Sequence, residues 1–152
     1  MQHLHELAAL FDPATVVLLV ESGELPGWID ELARQLGEAK VQARRVVLGE
    51  STGGANLYGT QGAVGAESRQ AASGPGDALP CCDLALIAVG AEREVQALRA
   101  AAALRVRGAV LLSPHATPER SRELAAIARE ARIRLLGPAT MGFVRPSRGL
   151  NA

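Results

Sequence analysis

The run TVVLLV, Thr15–Val20, is apolar and largely β-branched and shows no alternation. A strand with one face in water alternates polar and apolar residues. A strand that does not alternate has both faces covered, which is the usual condition of a parallel sheet. Parallel neighbours need a crossover of a dozen or more residues between them, normally a helix. This one stretch narrows the chain to α/β architectures and directs attention to the crossovers.

Helical and strand patterns follow in alternation. Pro26-Gly27 precedes a helix on which Trp28, Ile29, Leu32 and Leu36 share a face. A second strand is clearest from Arg45 to Leu48. CDLALIAVG supplies a third over Leu84–Val89, followed by an Ala-rich helix from about Glu92 to Val106 that presents Val95, Leu98 and Ala102. GAVLLSP reads as a fourth strand. Thr117 reads as an N-cap, with Pro118 at the first helical position and Glu119 placed favourably for the helix dipole. That helix buries Leu124, Ile127, Ala128 and Ala131. RIRLLGP is a fifth strand, and ATMGFVRPSRGLNA an irregular tail. Ahead of all this, Leu4, Leu7, Ala8 and Phe11 mark a short amphipathic helix that Asp12-Pro13 stops. The order predicts a Rossmann-like doubly wound parallel sheet of about five strands with helices on both faces.

A length of 152 residues suits a single domain over 1–152. With 48% hydrophobic residues but only 3% aromatic, its core must be built from Val, Leu, Ile and Ala. The stretch 49–76 is crowded with Gly, Ala and Ser and lacks apolar periodicity, apart from a short helical pattern near Glu67–Ala72. It reads as a flexible excursion from the domain. Sixteen basic and sixteen acidic residues cancel, which argues against nucleic acid or an anionic membrane as partner. No run approaches the roughly 20 apolar residues of a membrane span, and the N-terminus lacks the pattern of a signal peptide. The expected location is cytoplasmic. Cys81 and Cys82 are adjacent and lack zinc-knuckle or redox spacing, so they read as free thiols at a strand entrance.

In open parallel sheets, ligands bind beyond the carboxyl ends of the strands. That rule selects four turns as candidate binding positions: Ser22, Gly23 and Gly27 after the first strand; Val89 and Gly90; Ser113, Pro114 and His115; and Gly137 and Pro138. No catalytic set emerges. His115 is either an acid–base group or a loop histidine with local hydrogen bonds. Asp30-Glu31 and the Glu92–Glu94 pair suit first-turn dipole placement or a solvated helix face. His3 and His5, two apart, cannot share a metal on a helix, and no metal site is expected.

CDLALIAVGA, RGAVLLSPH and ARIRLLGPATMGFVRPSRGLNA together resemble the CoA-binding domain of the NDP-forming acyl-CoA synthetases, succinyl-CoA ligase among them. The same domain opens the related multidomain lysine acetyltransferases. LFDPATVVLLV is similar to the family's LFxPxSVAVIGAS, and LPGW lies where members have PGSVG. The likeness covers nearly the whole chain outside residues 49–76. It implies a domain that holds CoA or acyl-CoA and performs no chemistry itself. Its partners would be the later domains of a parent synthetase or GNAT-type acetyltransferase, and a second copy of the chain is a further candidate. The match ends at Asn151-Ala152, so the chain reads as an excised piece or a standalone remnant.

The departures from the family pattern fall on the ligand positions. Gly-Ala-Ser after the first strand is replaced by Val20, Glu21 and Ser22. The second loop glycine falls on Asp30, Asn-Pro after the second strand falls near Leu48-Gly49, the proline of the VPA turn is Gly90, and Asn-Cys becomes Ala139-Thr140. Glu21 and Glu24 place negative charge where a pyrophosphate would need free N–H donors. The expectation is a non-catalytic CoA-binding-type domain with a degenerate ligand site, acting as scaffold or regulatory module. The alternative is a functional CoA or acyl-CoA binding module.

Overall fold

The computed structural model describes residues 10–21, 27–38, 41–48, 57–61, 82–114, 116–140, 142, 144–145 and 150–151. Strand β1 (Thr15–Glu21) leads to helix α1 (Gly27–Glu38) and β2 (Gln42–Leu48), then β3 (Leu57–Gln61). Strand β4 (Leu84–Ala88) passes through a single 3₁₀ turn at Ala91–Arg93 into α2 (Glu94–Ala103) and β5 (Gly108–Leu111). Helix α3 (Pro118–Glu130) precedes β6 (Arg134–Leu136), and β7 (Val144–Arg145) pairs with β8 (Leu150–Asn151).

The sheet order is β3-β2-β1-β4-β5-β6, with the five strands from β2 to β6 parallel as the alternation predicts. The sixth strand is an addition. Within the stretch read as a loose excursion, Leu57–Gln61 lies antiparallel to β2 and covers an edge that would otherwise expose unpaired N–H and C=O groups. The rest of that stretch, including Glu67–Ala72, lies outside the described residues. The tail also gains order, because β7 and β8 form a small antiparallel pair whose second strand runs beside α1.

Buried residues separate by strand parity into two layers. Val16, Leu18 and Val20 of β1 join Leu84, Leu86 and Ala88 beneath Ile29, Leu32 and Leu36 of α1. Val17 and Leu19 join Ala85, Ile87 and Val89 on the other face, beneath α2 and α3 through Ala97, Leu98, Ala101, Leu124 and Ala128. The central strands are covered on both sides, which is why β1 needs no alternation. Thr117 caps α3 by accepting from Arg120 N at 3.2 Å, with Pro118 first in the helix.

Two assignments change. Trp28, counted with the buried face of α1, is 48% exposed at the second position of the helix, while Ile29 beside it is buried. Phe11, counted with the apolar face of the first helix, is also exposed, and its neighbour Leu10 is buried instead. Leu4, Leu7 and Ala8 lie outside the described residues. Cys82 is buried and is in no disulfide. Among the described residues, no helix is long and apolar enough to cross a membrane, and no three potential metal ligands gather.

Candidate functional site

Strand order reverses at β1: the chain moves to β2 on one side and returns to β4 on the other. The crevice between the carboxyl ends of β1 and β4 is therefore the switch point at which open sheets of this type hold ligands. The last residue of β1 is Glu21. The strand's parity places it on the α2 side, where its Oε2 accepts a long 3.4 Å hydrogen bond from Gly90 N–H and lies 3.8 Å from Arg93 Nε. Glu21 therefore reaches across the crevice to the turn that opens α2 (its side chain 40% exposed). A carboxylate here is favoured by the backbone N–H groups at the start of α2 and by the Arg93 cation.

Gly90 makes this contact feasible. A Cβ built there would stand 3.7 Å from both Glu21 carboxylate oxygens, an ordinary contact distance. The decisive property is the N–H. A proline at this position, as in the family pattern, would have no proton to donate.

One strand further along, Glu94 opens α2 and is completely buried. It accepts a hydrogen bond from Ser113 Oγ just beyond β5, while its Oε2 is buried without a partner among the described residues. This corrects the reading of the Glu92–Glu94 pair: Glu92 is exposed and Glu94 belongs to the interior. The signal was present in the sequence, since Glu94, Ala97, Leu98 and Ala101 are spaced i, i+3, i+4, i+7 and form one stripe.

Ser113 is also tied to the last candidate turn, its carbonyl accepting from Ala139 N–H at 2.9 Å. There Gly137 takes φ +91°, Gly137-Pro138 is cis, and Ala139 adopts φ +58°. Thr140 Oγ1 accepts from Gly142 N–H at 3.1 Å and closes the turn. The structure thus brings together Val89, Gly90, Ser113, Gly137 and Pro138, with Val89 and Ser113 buried, Gly137 and Pro138 half-buried, and Gly90 and Pro114 exposed. Gly27 starts α1 with open space around it. Ser22, Gly23, Glu24 and His115 lie outside the described residues. Val20, where the resembled pattern has glycine, is fully buried and paired with Val47 and Ala88. Asp30, replacing the second loop glycine, is exposed and held by Arg45 Nη2 at 2.8 Å.

No family model and no curated protein matches the sequence. Solved structures do match. The protein PH0766 from Pyrococcus horikoshii OT3 aligns with 95% of this chain and 32% of its own, at 21% identity and a TM-score of 0.66. A dinucleotide-forming acetyl-coenzyme A synthetase 1 from Ca. Korarchaeum cryptofilum, solved with phosphate and ADP, aligns with 96% of this chain and 30% of its own, at 20% identity and a TM-score of 0.64. The fold is theirs. This chain spans about a third of the length of each, and the resemblance read from the sequence is met at the level of fold.

Proposed function

We propose that this chain is a non-catalytic domain of the CoA-binding type in which Glu21 occupies the place of a ligand phosphate. In that state it serves as scaffold or regulatory module for the later domains of a parent acyl-CoA synthetase or acetyltransferase. The observation that carries this reading is the Glu21 carboxylate at Gly90 N–H and near Arg93, in the crevice where strand order reverses. A phosphate entering there meets a like charge. At 4 Å that contact costs about 1 kcal/mol in bulk water and about 4 at a partly shielded surface, a tenfold or greater loss of affinity. The shared fold with an acetyl-coenzyme A synthetase supports the choice of ligand class.

A second reading, a module that binds CoA or acyl-CoA outright, draws on Arg93. Its Nη1 is buried without a hydrogen-bond partner, so the guanidinium has donor capacity left for a pyrophosphate if Glu21 swings outward. Calorimetric titration with CoA separates the two. The proposed state gives no saturable binding below millimolar CoA, and Glu21→Ala tightens binding at least about tenfold. Micromolar binding by the parent chain establishes the second reading. Equal affinities in the parent and in Glu21→Ala remove Glu21 as the blocking group.

A further inference from the structure

The head of α2 is held from outside the helix. Gly90 precedes the 3₁₀ turn Ala91–Arg93, Arg93 precedes the α-helical part, and neither makes a side-chain cap among the described residues. In a capping box, the third helical residue is Glu or Gln and reaches back to the N–H of the capping residue. Here the capping position is Gly90 and the third residue is Arg93, a donor that cannot accept that N–H. Glu21 takes the part from the end of β1, accepting from Gly90 N–H at 3.4 Å and lying 3.8 Å from Arg93 Nε. Both contacts are long and partly exposed, the kind that break at little cost.

The next residue is tied to the interior. Glu94 is completely buried and accepts from Ser113 Oγ, and the Ser113 carbonyl accepts from Ala139 N–H at 2.9 Å. The turn that contains Ala139 has no slack against β5. A Cβ at Gly137 would stand 2.6 Å from Leu111 O and 3.1 Å from Thr140 Cγ2. Groups packed this closely transmit a displacement instead of absorbing it. Contacts therefore run without a gap from Glu21 through Gly90, Arg93, Glu94 and Ser113 to Ala139.

Coupling between two places needs an element with two arrangements as well as a row of contacts. The head of α2 is built as one. Ala91–Arg93 wind as a 3₁₀ turn, with Arg93 N–H bonded to Gly90 O at 2.9 Å, and the winding changes to α at Glu94. Such a turn at a helix end differs from α winding only in which carbonyl each N–H meets. We propose that this head is a conformational relay. Release of Glu21 rewinds Ala91–Arg93, moves Glu94, and loosens the Gly137–Thr140 turn through Ser113. The inference rests on the reading of Glu21 as the resident anion of the crevice, and adds that the state of the crevice is felt at the turn beyond β6.

The test is amide hydrogen exchange, followed by NMR without CoA, on the 152-residue chain and on Glu21→Ala. Exchange should speed up severalfold at Arg93, bonded to Gly90 O, and at Ala139, bonded to Ser113 O. It should stay unchanged at Arg134, bonded to Arg107 O at the opposite end of the strands. The comparison is repeated in Glu94→Leu with Ser113→Ala, which removes both polar partners of the relay together. In that background Glu21→Ala still speeds exchange at Arg93 but no longer at Ala139. An unchanged rate at Arg93 or Ala139 in the first comparison overturns the proposal, as does equal acceleration of Ala139 in both backgrounds. Acceleration of Arg134 by the same factor also overturns it, because the loss would then be global. Micromolar CoA binding by the parent would refute the occupied crevice and leave these exchange rates as they are, so the two failures are told apart.

Discussion

Asp83 is the most heavily used side chain at the amino edge of the sheet. Its Oδ2 accepts from Ala14 N–H at 3.0 Å, Thr15 N–H at 3.1 Å and Thr15 Oγ1 at 3.1 Å, and its Oδ1 accepts from Arg107 Nη2 at 2.7 Å. Its own N–H returns to Thr15 Oγ1 at 2.9 Å. One carboxylate therefore fixes the start of β1 against β4 and the turn before β5. Asp83→Ala leaves the part-buried Thr15 donors without an acceptor. Hydrogen bonds to a charged acceptor contribute about 1.5–3 kcal/mol each when buried, whereas water can replace the acceptor for exposed Ala14. Arg107 is 68% exposed and its ion pair adds at most about 1 kcal/mol. The expected loss is about 3 kcal/mol, or roughly 6–12 °C in melting temperature for a domain of this size.

Protonation gives an independent handle on the same carboxylate. Burial works against ionisation of Asp83, but the hydrogen bonds from Arg107, Thr15 and Ala14 outweigh it and hold the pKa below its ordinary 3.8. A carboxylate whose pKa falls on folding stabilises the native state fully above the unfolded value. That contribution disappears as pH drops through the folded one. Thermal melts followed by circular dichroism from about pH 3 to pH 7 should show the gap between the parent and Asp83→Asn constant above about pH 5, then closing below about pH 4. A melting temperature for Asp83→Ala within a degree or two of the parent at pH 7 refutes the reasoning, as does a gap that stays constant down to pH 3.

Gly137→Ala should cost about 2–4 kcal/mol, read as a shifted urea midpoint, because a Cβ at φ +91° would stand 2.6 Å from the Leu111 carbonyl oxygen. Ser113→Ala alone should destabilise by about 1–3 kcal/mol, since it removes the one donor to the buried Glu94 carboxyl among the described residues. Glu94→Leu combined with Ser113→Ala should be neutral or stabilising, because both polar partners leave the interior together. Additive losses in that double-mutant cycle would show that the pair is not coupled.

What could be read from the sequence was whatever local pattern determines. Val16–Val20 and Leu84–Val89 are buried runs in sequence and in space, and Thr117-Pro118 caps a helix as its chemistry requires. Leu57–Gln61 was not legible. Glycine interrupts it at Gly59, and its partner β2 defines it as a strand more than its own composition does. Trp28 and Ile29 both fit an apolar face with Leu32 and Leu36, and periodicity alone does not tell which of two adjacent residues at a helix start faces the sheet. Glu94 lay on a legible stripe, but its partner Ser113 is 19 residues away and only the fold joins them.

The same limit applies at the crevice, where the departures from the family pattern look independent along the chain and prove paired in space. Gly90 stands where the resembled pattern has proline and offers a backbone N–H, and Glu21 at the end of β1 supplies the acceptor for it. Either change alone would leave that contact without its donor or its acceptor. Asp30 stands where a loop glycine is expected, and its charge is met by Arg45 from β2. Two acids enter the ligand edge and each acquires a partner within the chain. The Gly90 N–H and the Arg93 guanidinium at the head of α2 both face the Glu21 carboxylate, so at this edge groups that attract an anion meet a carboxylate the chain carries itself.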